Sequence, residues 1–167
     1  MPPQIKFTKE QIIDVAVSLV RRESAAALNA RAIAKELGCS TQPLFRDFRS
    51  MKEIRRAVLL RANEVYNHYI ADSKTRSQMH YKDSGLAYLR FAKEEKELFK
   101  LLFMRDRSEE TPEQNVPDSN LDYIVRLVTE KTGLSPERAL DFHWHMWFYT
   151  HGLAVLLATG FLSFSEA

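Results

Sequence analysis

With 167 residues, 45% of them hydrophobic and 28% charged, the chain can fold as one compact domain or a small module joined to a larger one, and it is too apolar to remain disordered. The net charge of +2 hides an asymmetry: residues 1–60 carry 11 Lys and Arg against 6 Asp and Glu, and the remainder carries 13 against 16, as expected of a basic head that meets phosphates on a mildly acidic body. The lone cysteine, Cys39, excludes an intramolecular disulfide framework and a Cys-based zinc site, and with a first stretch, MPPQIKFTKEQ, too polar for a signal peptide, it makes the expected location the cytoplasm.

With 5 Gly, 6 Pro and little alternation of apolar and polar residues, the expected fold is all-α. Thr8 and Gln11 form a capping pair that opens a first helix with Ile12, Ala16, Leu19 and Val20 on its apolar face, ending near Glu23. Asn29 caps a second helix, Ala30 to Leu37, which Gly38 stops. Ser40 is expected to cap a third, very short helix over residues 41–49, and Ser50 with Glu53 opens a long fourth helix. Along that helix Met51, Ile54, Val58, Ala62, Val65 and Tyr69 recur in steps of three and four, a period that no strand uses.

The polar run from Asp72 to Gln78 is the expected boundary between head and body. Helices follow near 82–93 and 95–104, then a polar loop, RDRSEETPEQNVPDS, expected to be mobile, and a helix near 119–131. Ser135-Pro136 starts a last helix that runs to about Gly160. Between Asp141 and Glu166 there is no Asp, Glu, Lys or Arg. That window is long enough to raise a membrane span, since roughly 20 apolar residues suffice. His143, His145, His151, two threonines and Gly152 interrupt it, so no membrane is implied. A helix apolar on most sides has to be covered on most sides, partly by its own bundle and partly by a second copy of the chain, which makes a homodimer the expected assembly.

The stretch RAIAKELGCSTQPLFRDF, residues 31–48, is where function concentrates. On a helix turning 100° per residue, Leu44 and Phe48 share an inward stripe while Gln42, Phe45, Arg46 and Arg49 point outward together. Two short helices joined by a Gly-containing turn, the second showing Gln and Arg to solvent, make a helix-turn-helix whose second helix enters the major groove. Gln pairs with adenine, Arg with guanine or phosphate, and amides left free after Ser40 can meet a phosphate. Pro43 costs little in a first turn and stiffens the reading end. An ordinary helical hairpin with a solvated basic face carries the same spacing.

Residues from about Phe7 to Leu60 resemble the N-terminal domain of the TetR family of transcriptional regulators. The stretch LNARAIAKELGCSTQPLFRDFRSMKEI is similar to that family's Leu-x-x-Arg-x-Ile-Ala start, Leu-Gly turn, Leu-Tyr-x-x-Phe recognition helix and Lys-x-x-Leu-like opening of helix four. The resemblance implies that Thr41, Gln42 and Pro43 read bases, that Ala30 and Arg31 reach the duplex from the start of helix two, and that Lys52 holds phosphate. Phe45 stands where the family usually has tyrosine, so a ring contact to a thymine methyl or sugar remains but the phenolic bond to phosphate is gone. Trp147-Phe-Tyr-Thr-His151-Gly152 resembles the Trp-x-x-x-His-Gly signature of one type of TetR-family C-terminal domain, implying a homodimer with an effector cavity in each C-terminal bundle.

Phe91, Phe99, Phe103, Met104, Trp144, Trp147 and His151 are the candidate lining for a small apolar or amphipathic effector, though aromatics at helical spacing serve equally as plain core. His143 and His145 point about 160° apart on one helix, which defeats a chelating pair, so no metal and no cofactor are expected. Cys39 reads as a small buried filler. An enzyme needs a nucleophile with a base, a carboxylate pair, a metal cage or a phosphate loop, and no such motif stands out. A helical protein-interaction module would explain the body but leaves the outward Gln and Arg face without a purpose. The expectation is therefore a non-enzymatic, sequence-specific DNA-binding regulator, a homodimeric repressor acting on double-stranded operator DNA, with residues 1–50 reading DNA and 51–167 binding effector and partner.

Overall fold

A computed structural model describes residues 7–76, 80–108 and 120–163. Among them the chain forms α1 (Lys9–Glu23), α2 (Ala30–Glu36), α3 (Leu44–Asp47), α4 (Met51–Arg76), α5 (His80–Glu94), α6 (Lys96–Phe103), α7 (Leu121–Thr132) and α8 (Pro136–Ala158), with a 3-10 turn at Ala25–Ala27 and no strand. Helices α1 to α3 build an N-terminal helix-turn-helix unit and the rest a helical bundle, the all-α fold that the composition implied. No helix among the described residues is long and apolar enough to cross a membrane. Residues 109–119, most of the polar loop expected to be mobile, lie outside the described residues, as do residues 77–79 and the chain after Ser163.

The capping chemistry explains why the helices start where they do. The Thr8 amide donates to Gln11 Oε1 at 2.9 Å and the Gln11 amide to Thr8 Oγ1 at 3.2 Å, so two of the amides that a helix start leaves unpaired are satisfied. Asn29 Oδ1 accepts from the Ala32 amide at 3.0 Å. Ser135 Oγ accepts from Arg138, and Pro136 fills the first turn of α8, where its missing N–H costs nothing. At the end of α2, Gly38 takes φ 66°. The Cys39 and Gly38 amides then turn back onto the Ala34 and Lys35 carbonyls at 3.0 and 3.1 Å, closing the helix with the paired bonds that a left-handed glycine permits.

One buried cluster runs from the N-terminal helices into the bundle. Ile12, Leu19 and Val20 of α1, Ile33 of α2, Leu44 and Phe48 around α3 and Ile54 and Val58 of α4 belong to the same buried cluster as Phe91, Phe99 and Ala154 of the bundle. The long α4 packs on α1 at its start and on α5 along its length, α5 and α7 flank α8, and α1 also touches α6. Ion pairs reinforce these joints. Arg21 of α1 grips both oxygens of Glu95 at 2.8 Å, and Arg61 of α4 pairs with Glu10 and Asp14 of α1.

Two expectations need correction. The run from Asp72 expected as the boundary between head and body is helical as far as Arg76, the end of α4, and its last residues, 77 and 78, lie outside the described residues. That run contains no Gly or Pro, and its first two side chains are satisfied in place: Asp72 pairs with Arg90 of α5 at 3.0 Å, and the buried Ser73 hydroxyl donates to the Ile70 carbonyl at 2.7 Å. The third helix is a single turn, Leu44–Asp47, rather than a segment from 41 to 49, and Ser40 is not its cap. Pro43 biases Gln42 away from helical dihedrals, so residues 41–44 form a turn closed by the Leu44 amide on the Thr41 carbonyl at 3.2 Å, and Phe48 is already extended.

Ser24, which ends α1, sits at φ 114° and ψ 169°, a region that glycine alone enters without strain of about 1–3 kcal/mol. Replacing Ser24 with Gly should raise stability by about 1 kcal/mol, the relief exceeding glycine's extra chain entropy. Replacing it with Val should lower stability. The urea midpoints of the two variants check this.

Candidate nucleic-acid interface and the cavity behind it

The short α3 is held from beneath. Leu44 and Phe48 are fully enclosed, each burial contributing roughly 1.5–3 kcal/mol, and the Lys9 ammonium lies 4.8 Å from the centre of the Phe48 ring. The Phe48 amide donates to the Leu44 carbonyl at 3.1 Å. With those two residues turned inward, Gln42 and Arg49 are exposed and Phe45 presents 43% of its surface. The inward and outward stripes read from the sequence are therefore those of the folded chain.

The first turn of α4 is organised by Glu53. Its backbone amide donates to Ser50 Oγ at 3.3 Å, and its carboxylate accepts from the Arg49 amide at 2.7 Å, one residue earlier than a reciprocal capping pair would place it. That backbone hydrogen bond is the main reason the Glu53 carboxyl sits below its ordinary range, with Lys9 3.6 Å away adding to it. Lys52, next to Glu53, is exposed. Arg55, on the same helix, donates to the Leu28 carbonyl at 2.6 Å and the Ala25 carbonyl at 3.5 Å, so α4 carries the loop leading into α2.

The other residues proposed for DNA fall in several environments. Arg31 and Ser40 are exposed, whereas Ala30, Thr41 and Pro43 are half-buried, and Ala30 packs on the core. Arg46 is exposed but its guanidinium is engaged, donating to the Phe7 carbonyl and to Asp47, both at 3.0 Å. Arg49 and Lys52 come together on the lining of one groove. Arg31 and Lys52 pair with no carboxylate among the described residues, in contrast to Arg21, Arg22 and Arg61, which are neutralised by neighbouring acids. An exposed cation without a partner is available to a phosphate; one in a salt bridge must first give it up.

Behind the head, α4, α5, α7 and α8 line a half-open cavity of about 360 Å³, within the range of small-molecule sites. Tyr66 and Ile70 of α4, Tyr81, Ser84, Tyr88 and Leu89 of α5, and His143, Met146, Trp147, Thr150 and Leu153 of α8 line much of it. Of the seven effector residues expected from the sequence, Trp147 alone lines this cavity. Phe91 and Phe99 are solid core with no exposure. Phe103 packs against Tyr66, Tyr88 and Phe99, and Met104 and Trp144 stand on the outside, 43% and 38% exposed.

His151 stands next to the cavity without lining it. Its Nδ1 lies 2.8 Å from the Tyr88 hydroxyl, and its ring stacks on Trp147 at 4.7 Å and 12°; burial lowers its pKa from the ordinary histidine value. His143 is 3.4 Å from the Tyr81 hydroxyl, and His145 bonds the Asp141 carbonyl at 2.8 Å on another side of α8. The tyrosines were missed because their helical spacing marks an inward face and says nothing of whether that face meets packing or a void.

Comparison with known families places both halves. Residues 12–58 match the family described as bacterial regulatory proteins, tetR family, and residues 82–167 match one described as tetracyclin repressor-like, C-terminal domain. No curated protein matches the chain.

The exposed faces predict two kinds of loss on DNA. Gln42→Ala should cost about 1–3 kcal/mol on a specific site and little on random duplex. Lys52→Ala should weaken both alike and reduce the slope of log affinity against log salt by about 1. Titrations of both duplexes by fluorescence anisotropy at several salt concentrations separate these outcomes; equal loss on both for Gln42→Ala would overturn base reading by that residue.

Proposed function

The chain belongs to the tetR family of bacterial regulatory proteins and is a DNA-binding transcriptional regulator, and from that premise we propose that it is a homodimeric repressor in the cytoplasm, released from a palindromic operator by a small ligand. In this reading residues 1–50 read DNA and residues 51–167 hold the effector and the partner subunit. The observation that carries it is the solvent-facing set of Gln42, Phe45, Arg49 and Lys52 around a one-turn helix whose other side is locked into the core. Gln42, with Thr41 and Pro43, reads base edges, Phe45 offers its ring to a thymine methyl, and Arg31, Arg49 and Lys52 hold phosphates on either side.

The outer face of α8 supports the dimer. Phe148 and Trp144 are 63% and 38% exposed, and neither lines the cavity. A helix with large apolar side chains on its solvent side gains by covering them with an equivalent helix, and a two-fold pair sets two recognition helices about 34 Å apart for successive major grooves. A cavity wall shared by α4 and α8 supports the response to ligand: α4 runs from the cavity residues Tyr66 and Ile70 back to Lys52. A ligand that prefers one spacing of the heads weakens DNA binding by the ratio of its affinities for the two spacings. The ligand is small and apolar or amphipathic, bound among Tyr66, Tyr81, Tyr88 and Trp147.

Selection of bound duplexes from a random pool tests the reading directly, the expected product being a two-fold site with half-sites one helical turn apart. Phe148→Asp with Trp144→Asp should give a monomer by light scattering and lose at least tenfold in affinity for the selected duplex while leaving the helical circular-dichroism signal in place. A dimer that survives both substitutions would move the subunit interface away from this face of α8.

A further inference from the structure

A second, larger concavity of about 550 Å³ lies on the shoulder between head and body, where the loop before α2, the start of α4 and the end of α6 meet. Its apolar wall is made by Leu28, Leu59 and Leu101. Around that wall stand Arg49, Lys52, Arg55, Arg56 and Arg105, and a single carboxylate, Glu53. Glu53 is already engaged by the Arg49 amide and by Lys9, and Arg55 spends its donors on carbonyls, which leave its charge in place. Arg56 is exposed and pairs with no carboxylate among the described residues. Several cations around an apolar wall focus positive potential into a concave site where water is partly displaced.

We infer that this groove binds an amphipathic monoanion, an alkyl chain or flat ring ending in a carboxylate, with the apolar part on Leu28, Leu59 and Leu101 and the acid among Arg49, Lys52 and Arg56. Charge and shape select this occupant together. A cationic amphiphile meets the like charges of Arg49, Lys52 and Arg56, and a neutral one gains the wall but leaves the guanidinium donors to water. The bound acid covers Arg49 and Lys52, so it competes with a DNA phosphate for the same cations, a route distinct from ligand entry between α4 and α8. The site stands on its own lining; only the competition rests on Lys52 meeting phosphate.

Leucine-methyl NMR of the full chain, titrated with decanoate, decanol and decyltrimethylammonium below their micelle concentrations, tests the assignment. Decanoate should shift the Leu28, Leu59 and Leu101 methyls with saturation, decanol at least tenfold more weakly and the ammonium not at all. Arg56→Glu should weaken decanoate at least fivefold, and Arg105→Glu supplies a second charge reversal from the opposite wall. Equal affinity for decanol and decanoate, or decanoate shifts confined to Leu89 and Leu153 in the α4–α8 cavity, would overturn the site. Added random-sequence duplex should reverse the decanoate shifts; if duplex and decanoate bind together undisturbed, the groove remains an anion site and the competition falls with the phosphate role of Lys52.

Discussion

A four-residue helix cannot hold itself together in water, and the proposed reading of DNA by this chain depends on one. Isolated helices shorter than about 12–15 residues are marginal even with favourable sequences, and α3 has only Leu44–Asp47. What holds it is the burial of Leu44 and Phe48 at its two ends, in a cluster shared with α1, α2 and α4. Pro43 sets the entry and Phe48 leaves in an extended conformation, so the turn is clamped at both ends by residues that point inward. Gln42, Phe45 and Arg49 are outward because their neighbours are not free to be.

The same cluster continues without a break into the bundle, which makes the head and body one mechanical object. Helix α4 contributes to both, sharing Ile54 and Val58 with the cluster that holds Leu44 and Phe48 and packing on α5. The Arg21–Glu95 pair and the Arg61 pairs with Glu10 and Asp14 brace α1 against the bundle and α4. These are partly exposed pairs, so each contributes little energy by itself. Their place matters more than their strength, since any movement of α1 relative to α4 or α6 has to break or re-aim them.

The bundle is built with rings where an ordinary core would use aliphatics. Tyr66, Tyr88, Phe91, Phe99, Phe103 and His151 contact one another edge to face or tilted, and the hydroxyl of Tyr88 finds His151. A cavity bounded by Tyr66, Tyr88 and Trp147 lies beside this cluster.

Local chemistry made much of this legible in one dimension. Thr8, Asn29, Ser50 and Ser135 mark helix starts by accepting from amides a few residues on, Gly38 marks a helix end by donating back to the Lys35 carbonyl, and the period of Ile54, Val58 and Ala62 states which side of α4 is buried; all depend on near neighbours along the chain. The inward pair Leu44 and Phe48 and the outward Gln42 and Arg49 followed from the same arithmetic. Tertiary structure alone decided the rest. It kept Asp72 inside a helix by supplying Arg90, turned Arg46 onto the Phe7 carbonyl, and put Phe91 and Phe99 in solid core while Tyr66 and Tyr88 faced a void. A helical period gives the direction of a side chain; what lies in that direction is set by segments distant in sequence, and no local pattern carries that information.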